Sequence, residues 1–341
     1  MKHITIKDIA KKLNVSVSTV SRAFNDTFDV SKKTRDRVLK VAKEMGYYPN
    51  PIAKRLHQQK SFQIGIVVPE FINDFFPQVI MGIQKVVQQA GYQLLIMQSN
   101  ECYETEIANV KKLEENMVDG LIISLSQETK NIDYYNQLYD KGIPMVFFNR
   151  VNDTINAPKV VFNDFKWAYF AVEHLIKQGC KNIVHLAGYK HLSLSKERVK
   201  GYEKAMNKFH LNFGKQHIIE TGFTREEGEK AMQHLLKQGL QPDGIFAAND
   251  PVALGSMKAL KQAGIKVPKE VKIIGFSEAL WTDMVEPALS SVSQPAKVIG
   301  EESAILLLKQ LKGAPMKKTM ISLDGHLVVR ASSMKDGLLG D

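Results

Sequence analysis

From Gln63 onward, short β-branched runs alternate with longer amphipathic runs, and this alternation limits the possible folds more than any other feature of the chain. An interval of about 25–30 residues between successive strands is typical of parallel sheets with helices on both faces. Residues 62–341 are too many for one such sheet, so we predict two similar lobes. In folds of this kind, small ligands bind between the lobes, at the carboxyl ends of the strands.

The alternation predicts seven strands and six helices in this part of the chain. The strands are expected at residues 64–68, 93–97, 120–124, 145–148, 182–186, 244–247 and 272–276. The helices are expected at residues 76–90, 104–116, 167–178, 196–209, 225–238 and 252–263, and glycines mark several helix ends.

The net charge of +10 is concentrated at the start of the chain. Residues 1–60 contain 14 lysines and arginines against 5 aspartates and glutamates, a net charge of +9, so the remaining residues add only +1. A solubilising tail would be low in complexity, whereas this segment has ordered apolar periodicity. The concentration of charge therefore indicates a polyanion partner, chiefly nucleic acid.

The basic segment is predicted to form three short helices. Thr5, Ser16 and Ser31 are the expected N-caps of these helices, and Gly46 ends the third. Asn14 lies where the chain must turn sharply, and asparagine tolerates the left-handed backbone. Two short helices across a tight turn, braced by a third, form a helix-turn-helix.

The second helix is too short and too polar to be buried on all sides. Its small hydroxyl residues and Arg22 suit the major groove, where arginine can bind guanine O6 and N7 together. The helix starts at Ser16 and Ser31 direct free N–H groups outward, which suits phosphates. Residues 50–60 could form about two helical turns that order only when packed, with Leu56 as a minor-groove wedge. The alternative is a plain linker whose Leu56 packs on the neighbouring domain.

Four motifs in the first 56 residues share the spacing of one known family. They are Thr5-Ile6-Lys7-Asp8-Ile9-Ala10, Val15-Ser16-x-Ser18-Thr19-Val20-Ser21-Arg22-x-x-Asn25, Val30-Ser31-x-x-Thr34-Arg35 and Gly46-Tyr47-x-Pro49-Asn50-x-x-Ala53-x-x-Leu56. In these motifs the chain resembles the lactose-repressor/galactose-repressor family of bacterial transcription regulators. The resemblance implies a homodimer that binds palindromic double-stranded operator DNA. It also implies base reading by Val17, Ser18 and Arg22, and hinge helices that place Leu56 in the minor groove.

The resemblance implies an α/β protein with an N-terminal all-α helix-turn-helix head and a two-lobed, periplasmic-binding-protein-like regulatory domain with parallel sheets. The expected divisions are a DNA-binding domain at residues 1–49, a hinge at 50–61 and an effector-binding and dimerisation domain at 62–341. The predicted DNA contacts, from the local arguments and the resemblance together, are Thr5, Ser16, Val17, Ser18, Ser21, Arg22, Asn25, Ser31, Thr34, Tyr47, Asn50, Ala53, Lys54 and Leu56.

Aromatic and polar residues suited to a sugar lie near the predicted strand ends. Sugar sites pair aromatic faces with fixed hydrogen-bonding groups. Phe71, Phe75 and Phe76 follow the first predicted strand, and Asn249-Asp250 follows a later one. Each has a structural alternative, because a phenylalanine is often part of the core and Asn249-Asp250 could merely cap the next helix.

Motifs in the body resemble the regulatory domain of the same family, with weaker identity than in the head. They are Gly188, Arg198-x-x-Gly201-Tyr202, Ala248-Asn249-Asp250-x-x-Ala253-x-Gly255, Val267-Pro268-x-x-Val271-x-Ile273-x-Gly275-Phe276, Pro287-x-Leu289-x-x-Val292 and Gln294-Pro295. The resemblance implies a small-molecule effector, a sugar or sugar derivative, bound by Phe75, Phe76, Asn149, Arg198, Phe223, Asn249, Asp250 and Ser277. Many members carry aspartate at the positions of Asn149 and Ser277, so this chain gives less support to a cationic or familiar monosaccharide effector. Trp281 could stack on the ligand, cap the cleft or serve only in packing.

The sequence predicts no enzyme activity, no cofactor and no metal site. It contains no phosphate-binding loop, dinucleotide-binding loop or nucleophile elbow, and its nine histidines lack metal-ligand spacing. A sugar-binding transport module and an α/β enzyme remain the alternative functions. A secretory signal would favour the first of these, and turnover of a ligand would favour the second.

We expect a cytoplasmic protein that does not contact a membrane. Cys102 and Cys180 are too few for a disulfide framework, and no secretory signal or membrane-length apolar run is found. Residues 334–341 carry no heptad repeat, so a dimer is expected rather than a tetramer held by a coiled coil.

Overall fold

The computed structural model describes residues 4–24, 29–47, 60–315 and 319–334. The chain forms two compact units, Met1–Ser61 and Phe62–Asp341. Most of the expected hinge at 50–61 lies outside the described residues, and so do the predicted DNA contacts Asn25, Asn50, Ala53, Lys54 and Leu56.

The N-terminal unit contains the three predicted helices, α1 (Ile6–Leu13), α2 (Val17–Phe24) and α3 (Lys32–Glu44). Asn14 ends α1 in the left-handed conformation, with φ of 51°, as its sequence position predicted. Small aliphatic side chains from all three helices form the core, namely Ile9, Ala10, Leu13, Val20, Ala23, Val38 and Ala42.

The first lobe of the second unit is a six-stranded parallel sheet flanked by helices. Its strands are β1 (Gln63–Val68), β2 (Gln93–Gln98), β3 (Gly120–Ile123), β4 (Met145–Phe148), β5 (Lys159–Phe162) and β11 (Met320–Leu323), in the order β11-β5-β4-β3-β1-β2. Its helices are α4 (Phe75–Gln89), α5 (Tyr103–Glu115), α6 (Asp133–Asp140) and α11 (Ala296–Leu311).

The second lobe repeats this plan with one antiparallel edge strand. Its strands are β6 (Ile183–Ala187), β7 (Ile218–Glu220), β8 (Gly244–Ala247), β9 (Lys272–Ser277), β10 (Ser290–Ser293) and β12 (His326–Val328), in the order β12-β10-β9-β8-β6-β7. Its helices are α7 (Asp164–Lys177), α8 (Ser193–Lys208), α9 (Arg225–Lys237) and α10 (Asp250–Gln262). Short 3₁₀ turns occupy Lys215–His217 and Ala331–Ser333.

Within the described residues, the chain passes between the lobes after β5, after β10 and after β11. These three segments lie side by side. Asn163 N–H donates to the Leu323 carbonyl at 2.9 Å. Gly325 approaches Ser293 so closely that a Cβ at position 325 would lie 1.9 Å from the Ser293 carbonyl oxygen. The lobes are therefore joined by a compact, three-stranded hinge.

The seven strands and six helices predicted for the body are all present, with ends shifted by up to three residues. The sequence prediction missed β5, β7, β10, β11, β12, α6 and α11. Both sheets, the parallel pairing and the similar halves agree with the prediction. In the parts of the chain that the structure describes, no helix is long and apolar enough to span a bilayer.

Candidate functional site

The exposed side of α2 is the first candidate surface. Val20 and Ala23 face the core, whereas Val17, Ser18 and Arg22 lie on the exposed side of the helix. Val17 is 40% exposed. The three residues expected to read bases therefore share one accessible surface.

Hydroxyl side chains cap the helix starts as the sequence predicted. Ser16 Oγ accepts a hydrogen bond from Thr19 N–H at 3.0 Å, and Ser31 Oγ accepts one from Thr34 N–H at 3.2 Å. At the start of α1, the Thr5 hydroxyl donates to Asp8 Oδ2 at 2.7 Å. The positive ends of α2 and α3 are thus ordered and exposed, which suits contacts with phosphate.

The remaining described residues that are predicted to contact DNA are less exposed than Val17, Ser18 and Arg22. Ser21 and Thr34 are half-buried. Tyr47 is also half-buried, and its ring packs on Phe24 with a centroid distance of 5.3 Å. Tyr47 therefore helps to hold the third helix against the second, whether or not it also touches DNA.

The second candidate site is a cleft between the two lobes at the carboxyl ends of their strands. A cavity of about 50 Å³ is lined there by Glu70, Asn73, Phe75, Phe76, Asn149, Arg150, Leu194, Arg198, Phe223, Asn249, Ser277 and Gln294. This set contains seven of the eight predicted effector contacts. The eighth, Asp250, lines an adjoining cavity of about 30 Å³ with Trp281. Sites for small molecules have volumes of about 300–1,000 Å³, so neither cavity accommodates a sugar and the lobes are closed on each other.

Hydrogen bonds join the lobes beside the cleft. Leu280 N–H, in the second lobe, donates to Asp74 Oδ2 at 3.0 Å. Ser193 Oγ donates to the Val151 carbonyl in the first lobe at 3.2 Å. A ligand larger than water must break such contacts to enter, which makes the cleft a site whose occupancy is coupled to lobe movement.

The aromatic side chains of the cleft come from both lobes. Phe75 and Phe76 begin α4 and pack edge to face, with ring centroids 5.3 Å apart. Phe223 lies just before α9, which begins at Arg225 after its N-cap Thr224. Glu227 accepts hydrogen bonds from the N–H groups of Phe223 (3.0 Å) and Thr224 (2.9 Å), which fixes the backbone that carries the Phe223 ring.

Arg198 is held at the floor of the cleft by groups of the second lobe. Its Nε donates to Asp164 Oδ1 at 2.8 Å, and its Nη1 donates to the Ala248 carbonyl. Its guanidinium carbon lies 3.7 Å from the centroid of the Phe276 ring. Burial raises the pKa of Asp164, and the Arg198 charge opposes that rise. Arg198 is therefore a buried hydrogen-bond donor in a fixed orientation, and Asp164 balances its charge.

Arg150 presents donors from the first lobe. Its Nη1 lies 2.8 and 2.6 Å from the two carboxylate oxygens of Glu101. Its guanidinium carbon is 5.9 Å from the Phe76 centroid and 4.9 Å from the Phe223 centroid, so it lies between the aromatic groups of the two lobes. Among the described residues, the hydrogen bonds of this side chain run from Nη1 to Glu101, and Arg150 as a whole is only 5% exposed.

Amide side chains complete the polar lining. Asn249 donates to the Phe223 carbonyl at 2.8 Å and accepts from Val252 N–H at 2.9 Å, so it caps α10 and also lines the cleft. Ser277 Oγ donates to Gln294 Oε1 at 2.8 Å. Gln294 Nε2 is buried without a partner in the described part of the chain. A buried, unpaired donor is costly unless a ligand or water satisfies it.

Asp250 has a different environment from the other predicted contacts. It is fully buried, and its carboxylate accepts from Ser291 Oγ at 2.6 Å and from Ala279 N–H at 2.7 Å. Burial raises its pKa to about 7. Both oxygens are thus engaged within the protein, and the side chain ties the 277–289 loop to α10.

Sequence reasoning missed several residues of the cleft, namely Glu70, Asn73, Arg150, Leu194 and Gln294. Arg150 directly follows the predicted contact Asn149 at a strand end, which was a usable signal. Phe71, by contrast, is 40% exposed and lines neither cavity. Of the described residues, only Cys102, Glu104 and Glu128 form a group with metal-ligand character, and it too lines neither cavity.

Comparisons with known families match both units. A model described as "Bacterial regulatory proteins, lacI family" matches residues 5–50. A model described as "Periplasmic binding proteins and sugar binding domain of LacI family" matches residues 61–324. Together they cover the helix-turn-helix and both lobes.

Individual relatives match along nearly the whole chain. The ribose operon repressor of Halalkalibacterium halodurans is 33% identical over 330 residues, which are 96% of this chain and 97% of that protein. Among solved structures, the lac repressor dimer bound to operator and the anti-inducer ONPF has a TM-score of 0.86 at 25% identity, covering 98% of this chain and 100% of that one. The transcriptional regulator CelR–cellobiose complex has a TM-score of 0.74 at 26% identity, covering 97% and 100%.

Proposed function

The chain belongs to the LacI family of bacterial regulatory proteins, and we propose that it is a repressor that binds a palindromic operator as a homodimer. A small molecule that enters the cleft weakens or strengthens its binding to the operator. The proposal rests on the observation that one chain contains two separate compact units. One unit exposes Val17, Ser18 and Arg22 on a capped helix, and the other encloses an aromatic and polar cleft.

The operator-binding role rests on the surface of α2. Arg22 can bind a guanine through both N7 and O6, while Val17 and Ser18 are small enough to let the helix approach the base edges. The predicted contacts at Thr5, Ser21, Thr34, Tyr47 and the hinge position the head through phosphates and the minor groove. Because residues 1–60 carry +9 of net charge, operator affinity falls steeply as salt rises.

Exposed apolar side chains on both lobes support a homodimer. In the first lobe, Met81 on α4 is 56% exposed and Ile96 on the edge strand β2 is 45% exposed. In the second lobe, Leu280 is 67% exposed and Met284 is 81% exposed. A second copy that covers these side chains removes apolar surface from water. We expect Met81→Asp to convert the dimer to monomers in light scattering, and Lys85→Asp to do so less.

The effector is a sugar or sugar derivative bound between Phe75, Phe76 and Phe223. Aromatic faces contact the C–H surfaces of a sugar, and the Asn249, Arg198 and Asn149 side chains bind its hydroxyl groups. Gln294 Nε2, which is buried without a partner among the described residues, adds a further donor, and Arg150 lines the same cleft. The protein acts in the cytoplasm, where operator DNA is found.

Effector control follows from the hinge between the lobes. A ligand that binds one lobe arrangement better than another shifts the population toward it. A difference of about 1–3 kcal/mol between the two arrangements changes operator affinity by about 5- to 150-fold. The sign of the change depends on which arrangement holds the two heads of the dimer at the operator spacing.

Selection of binding sites from random duplexes tests the proposal. The full chain is expected to enrich a palindrome. A thermal-shift screen of sugars, sugar phosphates and nucleosides then identifies molecules that raise the melting temperature, and these are added to the operator complex. The proposal fails if no duplex is preferred over random competitor, with or without the screened compounds.

A further inference from the structure

The turn after β2 contains Glu101, whose side chain does not line the cleft. Asn100 and Glu101 both adopt left-handed backbone, with φ of 53° and 61°. Asparagine tolerates this conformation, but glutamate adopts it rarely. Backbone strain in an ordered turn is a reason to ask what the strained residue does. Here it directs the Glu101 carboxylate to Arg150.

Glu101 holds Arg150 and the neighbouring loop together. Its two oxygens take both Nη1 contacts of Arg150, and Oε2 also accepts from Gln127 N–H at 2.9 Å. Arg150 itself is 95% buried, whereas the Glu101 side chain is 21% exposed. The more exposed carboxylate therefore holds the buried guanidinium through Nη1.

Each of the two arginine charges at the cleft is paired with a carboxylate. Arg150 is matched by Glu101, and Arg198 is matched by Asp164 at 2.8 Å. The Glu70 carboxylate accepts hydrogen bonds from the backbone N–H groups of Ile72 and Asn73 and from the Asn73 side-chain amide. Asn149 and Ser277 also line the cleft and bring no charge. The arginines thus offer hydrogen-bond donors without offering excess positive charge.

We propose that Glu101 is a positioning residue for effector recognition: its carboxylate fixes the Arg150 guanidinium between Phe76 and Phe223 and neutralises it, so that the cleft selects an uncharged ligand. The proposal rests on the proposed effector role of the cleft. Neither the family comparisons nor the sequence motifs point to Glu101, which is 49 residues from Arg150 in the chain.

Charge removal at Glu101 tests the proposal, with inorganic phosphate as the probe. Glu101→Gln keeps an oxygen and an N–H group at the same place but leaves the Arg150 charge uncompensated. An unmatched charge inside a closed cleft attracts an anion strongly. We expect calorimetric titration to give phosphate affinity at least about tenfold higher in Glu101→Gln than in the wild type, a difference of about 1.4 kcal/mol. The double variant Glu101→Gln/Arg150→Gln is expected to lose this gain.

Matched variants separate positioning from a general change of surface charge. Glu104→Gln removes the same charge three residues away, on an exposed side chain outside the cleft, and is expected to leave phosphate affinity unchanged. Glu101→Asp keeps the charge and is expected to restore the wild-type affinity. Glu101→Ser removes the charge with less bulk, and it serves if the glutamine variant is poorly folded.

The titration needs neither operator nor effector, so its outcome is independent of the proposed repressor function. Equal phosphate affinity in the wild type and in the neutral variants overturns the proposal. A gain that persists in the double variant also overturns it, because the anion would then bind elsewhere. If the gain is seen but no duplex is ever preferred, the role of Glu101 stands and the repressor function does not.

Discussion

Gly188 is the residue after β6. One methyl group added at this position should weaken effector binding and leave operator binding unchanged. A Cβ at this position would lie 2.3 Å from Cζ of Phe223 and 2.7 Å from Ser195 Oγ. Carbon atoms in contact are about 3.5–4.0 Å apart, so the Phe223 ring must move by more than about 1 Å. That ring lines the cleft and lies 4.9 Å from the Arg150 guanidinium carbon.

Gly188→Ala therefore disturbs the cleft and leaves the head unaltered. Overpacking of this kind costs about 1–3 kcal/mol. Where the ligand-bound arrangement bears this cost and the open, ligand-free arrangement relieves it, effector affinity falls by about 5- to 150-fold. Operator affinity in the absence of effector should not change, because the helix-turn-helix is a separate compact unit. Calorimetry with a compound from the thermal-shift screen measures the first quantity, and a gel-shift titration measures the second.

Gly214→Ala is the matched control for this experiment. Its backbone is extended, with φ of −149°, and an added Cβ would meet only the flexible Gln216 side chain. We expect its effector affinity to equal that of the wild type. A folded Gly188→Ala protein that binds the effector as tightly as the control would refute the reasoning.

Three further predictions concern the head, the hinge and acid stability. Arg22→Ala should abolish operator preference while the dimer stays folded, because it removes the bidentate guanine contact; an unchanged consensus in site selection would contradict this. Leu56→Ala should keep nonspecific binding but reduce DNA bending in a circular-permutation assay, because it removes the minor-groove wedge; equal bending would reject the wedge. His185 is fully buried, and burial lowers its pKa to about 4. Its imidazole takes up a proton only on unfolding between pH of about 6.5 and 4, so stability is lost as pH falls through that range, by up to about 3 kcal/mol. Urea unfolding should show a weaker acid dependence for His185→Gln than for the exposed control His210→Gln, and parallel curves would count against it.

The helix caps and the main strands could be predicted because their signals are local. Thr5, Ser16 and Ser31 are followed by helical apolar spacing. The Ser16 and Ser31 hydroxyls accept the expected backbone hydrogen bonds, whereas the Thr5 hydroxyl donates to Asp8. The buried parallel strands are continuous β-branched runs, such as β1 with its Ile-Gly-Ile-Val-Val sequence. Parallel strands buried on both faces read this way in any sequence.

Two of the missed elements, β10 and α11, bury polar or small residues. β10 is Ser-Ser-Val-Ser, and its hydroxyls bind within the protein; Ser290 Oγ donates to the Arg330 carbonyl at 2.9 Å. Because that strand was missed, the strand-end residue Gln294 was missed as well. In α11 the buried side includes Gly300 and Ser303, while Val298 is 41% exposed. A Cβ on Gly300 would lie 2.0 Å from the Val79 carbonyl oxygen, so the sequence there is set by close helix packing rather than by hydrophobicity.

The electrostatics of the cleft could not be predicted from sequence. The Glu101–Arg150 and Asp164–Arg198 pairs join residues on different elements, and nothing in local spacing brings them together. The residue types that suit a sugar are visible in the sequence, but only the assembled lobes reveal that a donor such as Gln294 Nε2 is buried without a partner among the described residues.

The three-stranded hinge has a consequence for how this protein can be made and altered. β11 completes the sheet of the first lobe and β12 completes that of the second, only a few residues later in the chain. During synthesis, the sheet of the first lobe is therefore incomplete until Leu323 has been translated, and that of the second lobe until Val328 has been translated. Neither lobe exists as one continuous stretch of sequence, so a recombination event that exchanges a single lobe needs several crossovers. A truncation before residue 319 damages both lobes at once.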